Sequence, residues 1–265
     1  MLIIGELINS SRKGIAAAIE ARDAETIRKL ARDQAEGGAH YIDVNAGTFG
    51  DREGEHLRWL IENVQEAVDL PCCIDSPNPQ AIEAALAVHR GTAMINSVSL
   101  EKERCEGLLP LVAGTDLRIV ALCMSDSGMP RTAEDRLQVA ERLVDILVKN
   151  NLAPEQIYVD PLVQSVATDQ SFGREFLEAV ERIMTRLGGV HTICGLSNVS
   201  YGLPLRRELN RTFMAMAIAK GLDAAILDPM DRPMMAAVLA AETLAGRDRF
   251  CMNFIKAYRE KRLQF

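Results

Sequence analysis

AMINSV at residues 93–98 and RIVALCM at residues 118–124 are the stretches that decide the fold of this 265-residue chain. Both are apolar over most of their length and lack the clean alternation of a strand with one solvated face. Strands buried on both faces, as in a parallel sheet covered by helices, have this composition. The two stretches therefore predict buried strands of a parallel sheet.

Six further apolar runs have a similar character, and segments with helical spacing separate them. The clearest helix follows Pro130, with Thr132 as its expected N-cap, Asp135 three residues later and Pro154 beyond its end. The predicted strands are 2–8, 41–46, 71–76, 93–98, 118–124, 157–162, 192–198 and 224–228. The apolar helix stripes are Leu137, Ala140, Leu143, Val144 and Leu147; Leu57, Leu60, Ile61, Val64 and Ala67; and Ala81, Ala84, Ala85 and Val88.

Eight alternations of strand and helix within one chain of this length are typical of a TIM (β/α)8 barrel. The alternative is a doubly wound open sheet, which commonly carries GxGxxG after its first strand when it binds a dinucleotide. INSSRKG follows the first predicted strand here and does not fit that motif. We therefore predict an α/β protein with a single TIM-barrel domain over residues 1–265.

Composition and charge exclude several classes of function. The chain has 30 Lys and Arg against 37 Asp and Glu, a net charge of −7, so no strongly basic face for nucleic acid is expected. The longest apolar run, residues 234–241, is far shorter than the ~20 residues of a membrane-spanning helix. The basic residues near the N-terminus follow the apolar run, the reverse of a secretory signal. These features predict a cytoplasmic protein without a membrane partner.

The six cysteines, at positions 72, 73, 105, 123, 194 and 251, form no CxxC pair and have irregular spacing. A zinc site or a disulfide framework is therefore not expected, and buried free thiols are. The four histidines do not gather at the predicted strand ends either. We predict no resident metal.

Polar side chains follow the predicted strands at the end where a barrel carries its reactive groups. No lysine stands at a predicted strand end, which argues against a Schiff-base enzyme. Carboxylates and amides instead suit a neutral heteroaromatic ligand, because a carboxylate accepts two parallel N–H bonds and an amide offers one donor and one acceptor. Mg²⁺ between two carboxylates is the alternative. The residues are Glu6, Asn9, Asp43, Asn45, Asp75, Ser76, Asn78, Asn96, Ser97, Met124, Ser125, Asp126, Asp160, Ser197, Asn198 and Asp228.

Six motifs in this order resemble a known family. They are GELIN at 5–9, DVNAG at 43–47, IDSPNP at 74–79, MINS at 94–97, DPL at 160–162 and GLSNVSYGLPLR at 195–206. The chain resembles the pterin-binding methyltransferases that move a methyl group between methyltetrahydrofolate and a corrinoid protein in acetogenesis or anaerobic O-demethylation. The folate module of cobalamin-dependent methionine synthase is similar as well. The likeness covers nearly the whole chain and extends to residues 210–228.

The resemblance implies a homodimeric TIM barrel with the pterin in its mouth and cobalamin on a separate corrinoid protein. Asp75, Asn96 and Asp160 would bind the pyrimidine edge, and Asn198 would reach N5 as the catalytic residue. Gly195, Ser197, Tyr201, Arg206 and Ile226 would complete the pocket, with Glu6, Asp43 and Asn45 as possible support.

Two positions depart from the family pattern. Leu7 stands where the family often has Arg, and Tyr201 stands where the acetogen enzyme has Gln. An aromatic residue at position 201 is more similar to methionine synthase. Arg206 and Arg207 are candidates for contact with the corrinoid protein.

The direction of transfer stays open at this point, as do two other functions. One is a dihydropteroate-synthase-like transferase, which would need basic groups for a diphosphate leaving group. The other is a folate-binding module without catalysis.

Overall fold

The structure is a computed structural model, and it describes residues 1–263. Within this range the chain forms eight strands and ten α-helices, which alternate for most of its length. The strands are β1 Leu2–Asn9, β2 Tyr41–Asn45, β3 Cys72–Asp75, β4 Met94–Leu100, β5 Arg118–Ser125, β6 Ile157–Asp160, β7 His191–Thr192 and β8 Ala224–Leu227. The helices are α1 Lys13–Glu20, α2 Ala24–Glu36, α3 Glu53–Ala67, α4 Pro79–Leu86, α5 Lys102–Val112, α6 Ala133–Lys149, α7 Phe172–Arg186, α8 Arg206–Lys220, α9 Arg232–Leu244 and α10 Met252–Arg259.

All strand pairs are parallel, in the order β7-β6-β5-β4-β3-β2-β1-β8. The two ends of this sheet meet where Gly195 forms a parallel bridge with Ile226, and the N–H of Ile226 donates to the carbonyl of Cys194 at 2.9 Å. The sheet thus curves into a nearly closed barrel with helices outside it. The prediction of a TIM-barrel fold is confirmed, and the open doubly wound sheet is wrong.

Seven of the eight predicted strands coincide with observed strands to within a few residues at each end. β6 is shorter than predicted because Asp160 is followed by Pro161, and Leu162 has a left-handed backbone with φ of 65°. β4 is longer and reaches Leu100, so Lys102 begins α5 shortly after the strand.

The seventh prediction is wrong over most of its length. β7 covers only His191–Thr192, and Leu196–Ser200 is a 3₁₀ helix. Ser197 and Asn198 therefore lie in this helical turn and not at a strand end. Leu196 and Val199 are three residues apart, a spacing that puts both on one face of the turn, where they pack into the core beside α8.

The predicted helices agree with the structure. Thr132 and Asp135 form a capping box at the start of α6, in which each side chain accepts a backbone N–H of the other residue. The stripes at 57–67 and 81–85 lie on α3 and α4, whereas Val88 falls beyond the end of α4.

The inside of the barrel is filled by an apolar layer to which seven strands and the residue directly after β7 contribute. Its buried members are Ile4, Tyr41, Cys73, Met94, Val120, Tyr158, Ile193 and Ala224. Because residues two apart on a strand face the same side, the next layer toward the C-terminal end consists of the residues two positions later. Five of the polar residues singled out from the sequence stand at these positions, namely Glu6, Asp43, Asp75, Asn96 and Asp160.

Four cysteines are buried, but Cys105 is half-buried and Cys251 is exposed, so the expectation that all six thiols are buried is wrong. Cys251 is the last residue of the 3₁₀ helix Arg249–Cys251, directly before the short helix α10. In the part of the chain that the structure covers, no helix combines the length and apolar character needed to cross a bilayer.

Candidate active site

The C-terminal ends of the strands form a mouth lined by half-buried polar groups. In a parallel barrel all strands end on the same side, which brings together residues that are distant in sequence. Seven of the predicted site residues each lie two positions after a member of the apolar layer. They are Glu6, Asp43, Asp75, Asn96, Asp160, Gly195 and Ile226. The structure thus places these seven predicted residues around the mouth.

A hydrogen-bond network fixes the carboxylate of Asp75. The amide Nδ2 of Asn45 donates to its Oδ2 at 3.0 Å and to its backbone carbonyl at 3.2 Å. The other end of this amide is held as well, because Asn45 Oδ1 accepts from the hydroxyl of Ser10 at 2.9 Å and from the N–H of Gly47 at 3.1 Å. With both ends of Asn45 engaged, its orientation is determined and Asp75 is held in place.

Asp75 lies opposite Asn96 in the pairing of β3 with β4. Burial raises the pKa of the Asp75 carboxyl, while the hydrogen bond from Asn45 and the charge of Arg104 act in the opposite direction. Arg104, on α5, was not singled out from the sequence. Its position in the first turn of the helix after β4 is the sequence feature that could have identified it.

Asp43 lies beneath this pair and is buried. Its carboxyl interacts with the Cys73 thiol and the Asn96 amide, yet its Oδ1 has no hydrogen-bond partner among residues 1–263. Burial and the nearby charge of Asp75 raise the pKa of the Asp43 carboxyl well above its usual range. The protonated form of Asp43 is therefore favoured relative to an exposed carboxyl.

Asp160 occupies the opposite side of the mouth. Its Oδ1 accepts the N–H of Leu162 at 2.8 Å, and the N–H of Gly195 also interacts with the carboxyl. Burial raises the pKa of this carboxyl to about 7, although both N–H groups and the charge of Arg136 oppose the shift. Arg136 was missed at the sequence level, even though it lies one turn before Ala140 on the apolar stripe of α6.

Between β1 and β8 the mouth continues into a small cavity of about 80 Å³, which Glu6, Ser197 and Ile226 line together with Asp228. Glu6 pairs with Arg12 at 3.0 Å, and burial raises the pKa of its carboxyl. A larger cavity of about 630 Å³ lies beside α9 and α10, away from these carboxylates. The candidate site is therefore the polar mouth and not the larger cavity.

The segment after β7 exposes some of its side chains at the mouth. Ser197 and Asn198 both face solvent, and Tyr201 is 69% exposed. Arg206 Nη2 donates to the carbonyl of Ser197 at 2.7 Å, Nε donates to the Ser200 hydroxyl at 3.1 Å, and the guanidinium lies 5.9 Å from the Tyr201 ring centre. Arg206 thus holds the turn that carries Asn198, while the Asn198 side chain is free of hydrogen bonds to residues 1–263.

No group of three His, Cys, Asp or Glu side chains within residues 1–263 is arranged to hold a metal ion. The carboxylate of Asp75 accepts a hydrogen bond from an amide, and that of Asp160 accepts one from a backbone N–H. These are partners of a hydrogen-bonding site, so the Mg²⁺ alternative receives no support from the geometry.

The family described as pterin binding enzyme matches residues 5–228 of the chain. A methylcorrinoid:tetrahydrofolate methyltransferase from Eubacterium limosum is 38% identical over 265 residues, which cover 99% of this chain and 98% of that protein. A methionine synthase from Mycobacterium tuberculosis is 32% identical over 250 residues, covering 88% of this chain and only 21% of the synthase.

Solved structures of dihydropteroate synthases share the fold. The enzyme from Coxiella burnetii in complex with pteroic acid has a TM-score of 0.72 at 13% identity, covering 92% of this chain and 93% of that one. The Yersinia pestis enzyme has a TM-score of 0.68 at 14% identity over 92% and 93%. These likenesses concern the barrel alone. The family match and the identity to the Eubacterium protein show that the chain belongs to the pterin binding enzyme family.

Proposed function

We propose that the chain is a methyltransferase that binds tetrahydrofolate in the barrel mouth and moves a methyl group between N5 of the pterin and the cobalt of a corrinoid. The observation that carries this proposal is the layer of half-buried acceptors, Asp75, Asn96 and Asp160, in a chain of the pterin binding enzyme family. The full-length similarity to a protein named methylcorrinoid:tetrahydrofolate methyltransferase supports the reaction type.

The pterin edge and the mouth are chemically complementary. The amino-pyrimidinone edge presents neighbouring N–H donors, and a carboxylate accepts two of them in parallel. Asp75 and Asp160 supply carboxylates on two sides of the mouth, and Asn96 adds a donor and an acceptor. Ile226 offers an apolar surface to the ring face, and Gly195 allows close approach beside it.

Asn198 acts at N5 in this proposal. In the folate-to-corrinoid direction, cobalt(I) attacks the methyl carbon with its electron pair, the C–N5 bond breaks, and N5 takes up a proton to leave as a neutral amine. In reverse, the N5 lone pair attacks the methyl group of methylcobalt(III), cobalt(I) leaves with the bonding pair, and N5 loses its proton. An amide hydrogen bond to N5 stabilises the charge that changes there, and no protein nucleophile is required.

The corrinoid is bound to another protein that docks over the mouth. Exposed apolar side chains stand on the loops after β5, β7 and β8, with Met129 63%, Tyr201 69%, Leu205 79% and Met230 45% exposed. Arg206 and Arg207 are exposed beside them. This rim lies next to Asn198, where the macrocycle must approach N5.

We propose the direction from methylcorrinoid to tetrahydrofolate, because the relative that spans the whole chain is named for it. A stopped-flow experiment tests both directions with free cobalamin. Cob(I)alamin with 5-methyltetrahydrofolate should give the methylcobalamin spectrum, and methylcobalamin with tetrahydrofolate should give cob(I)alamin. Folate binding without either conversion would leave a folate-binding module, and diphosphate release from a pterin diphosphate would indicate the dihydropteroate-synthase-like alternative.

The proposal also includes an oligomeric state and a cellular location. We propose a homodimer, which light scattering of the purified chain tests by its mass. We also propose a cytoplasmic location, in keeping with the free cysteines of the described chain, which fluorescence microscopy of a tagged chain tests.

A further inference from the structure

Arg136 on α6 has a surrounding that is unusual for an arginine. It is 0% exposed and is the largest fully buried side chain in the described chain. Its Nε donates to the carbonyl of Pro161 at 2.8 Å, Nη1 donates to the carbonyl of Thr132 at 3.1 Å, and Nη2 donates to the carbonyl of Leu162 at 3.4 Å. Within residues 1–263 it forms no ion pair with a carboxylate.

Burial of a guanidinium without a salt bridge is costly, so the bonds that it makes need an explanation. Two of its three carbonyl partners belong to the residues directly after Asp160. Leu162 has a φ of 65°, a conformation that side chains other than glycine rarely adopt, and its N–H is the donor to Asp160 Oδ1. The turn that supplies this N–H therefore rests on Arg136.

The ionisable groups around Asp160 also indicate that Arg136 acts on this carboxylate. Cys123 from β5 and Cys194 after β7 face it, and burial raises the pKa of both thiols, which keeps them uncharged. Glu175 on α7 and Asp135 on α6 face Arg136. Among these groups in the described chain, Arg136 is the one cation acting on Asp160.

We propose that Arg136 is a positioning residue for Asp160, which holds the turn after Asp160 in place and supplies, from the start of α6, the positive charge that favours the carboxylate. The inference rests on the proposed role of Asp160 in binding the pterin. It adds a residue that does not itself touch the ligand.

A pH dependence of folate binding follows. The pterin N–H donors require the ionised carboxylate, and the pKa of Asp160 in the free protein is about 7. Binding therefore strengthens as the pH rises through about 7 and then levels off. Without the charge of Arg136 the pKa of Asp160 rises further, and the midpoint moves upward by about one pH unit.

The first experiment needs no ligand. The carboxyl carbon signal of Asp160, assigned by its absence in Asp160→Asn, is titrated by ¹³C NMR in the wild type, Arg136→Met, Arg136→Lys and Arg142→Met. Arg142 is exposed on the same helix and provides the matched control. We expect the midpoint to rise in Arg136→Met only. An unchanged midpoint in Arg136→Met would refute the electrostatic part of the inference.

The second experiment is calorimetry with tetrahydrofolate between pH 6 and 8.5. At pH 7 Arg136→Met should bind about five-fold more weakly, since fewer molecules carry the carboxylate. At pH 8.5 Arg136→Lys keeps the charge but loses the fork that spans the Pro161 and Leu162 carbonyls, so its affinity should fall about three- to ten-fold.

The outcomes separate the two proposals. If the wild type binds no folate, the proposed function fails, while the NMR titration still tests the link between Arg136 and Asp160. If Arg136→Met does not fold, the affinity of Arg136→Lys at pH 8.5 tests whether Arg136 positions Asp160. Wild-type affinity at pH 8.5 in Arg136→Lys would show that Arg136 does not position Asp160.

Discussion

The two sides of the barrel mouth differ in how firmly their polar side chains are held. On the β2–β4 side, Asn45 is bonded at both ends and holds Asp75, with Asp43 buried beneath them. On the β7 side, Asn198 and Tyr201 are exposed on a 3₁₀ turn, and Arg206 braces that turn through backbone and hydroxyl groups.

This difference indicates that the two sides of the mouth have separate roles. Groups that recognise a flat ligand work best when their orientation is set before binding, because little entropy is then lost. A group that acts where a second, large substrate arrives must stay accessible. We therefore propose that the held side recognises the pterin and that the open side takes part in the methyl transfer.

The largest effect is expected on the open side, from Asn198→Ala. Loss of one transition-state hydrogen bond should lower turnover on the order of 10²–10³-fold, with folate affinity changed by less than about two-fold. Single-turnover kinetics and calorimetry measure the two quantities. Asn253→Ala, at an exposed asparagine of α10, is the control. Unchanged turnover with intact folate binding would remove Asn198 from the reaction.

Asp75→Ala on the held side and Asp160→Ala at the end of β6 should both act on binding. Each removes charge-assisted hydrogen bonds to the pterin, so the affinity for tetrahydrofolate should fall by about 10- to 100-fold in calorimetry at pH 8. Asp69→Ala changes an exposed carboxylate before β3, away from the strand ends that form the mouth, and serves as the control. Wild-type affinity in either Asp75→Ala or Asp160→Ala would place that residue outside the pocket.

A smaller effect concerns the stability of the held side. The pKa of Asp43 is raised above its ordinary value of 3.8, so its contribution to stability is complete below pH 3.8 and is lost as the pH rises through the native pKa. Asp43→Asn, which mimics the protonated form, should raise the free energy of unfolding at pH 8 by about 1 kcal/mol.

Urea unfolding of Asp43→Asn and the wild type at pH 5 and pH 8 measures this difference. The gain should be smaller at pH 5, where the native carboxyl of the wild type is more fully protonated. A variant that is less stable than the wild type at pH 8 would show that the carboxylate is accommodated after all.

The smallest effect is expected from Tyr201→Gln, which introduces the residue of the acetogen enzyme. The ring is 69% exposed and its contact with Arg206 is a weak cation–π interaction, so folate affinity should change by less than about two-fold. The apparent KM for cob(I)alamin should rise by about two- to five-fold. A large loss of folate affinity would move Tyr201 from the rim into the pterin pocket.

The polar residues of the mouth were identifiable in the sequence because they follow buried strands. Glu6, Asp75, Asn96 and Asp160 each stand two residues after a member of the apolar layer, and the period of two on a strand puts both on the same face. The period of two did not predict the structure of the segment after β7. Leu196 and Val199 are apolar at a helical spacing, and a short apolar run does not distinguish a strand from a turn.

The sequence by itself determined the alternation of strands and helices and the residues at most strand ends, because burial and side-chain period are local properties of the chain. Only the tertiary structure decided which groups act on those residues. Arg136 on α6 bonds the turn directly after Asp160, and Arg104 on α5 affects the carboxyl of Asp75. Such contacts depend on how each helix packs against the barrel, and pKa values depend on burial by distant segments, neither of which local sequence encodes.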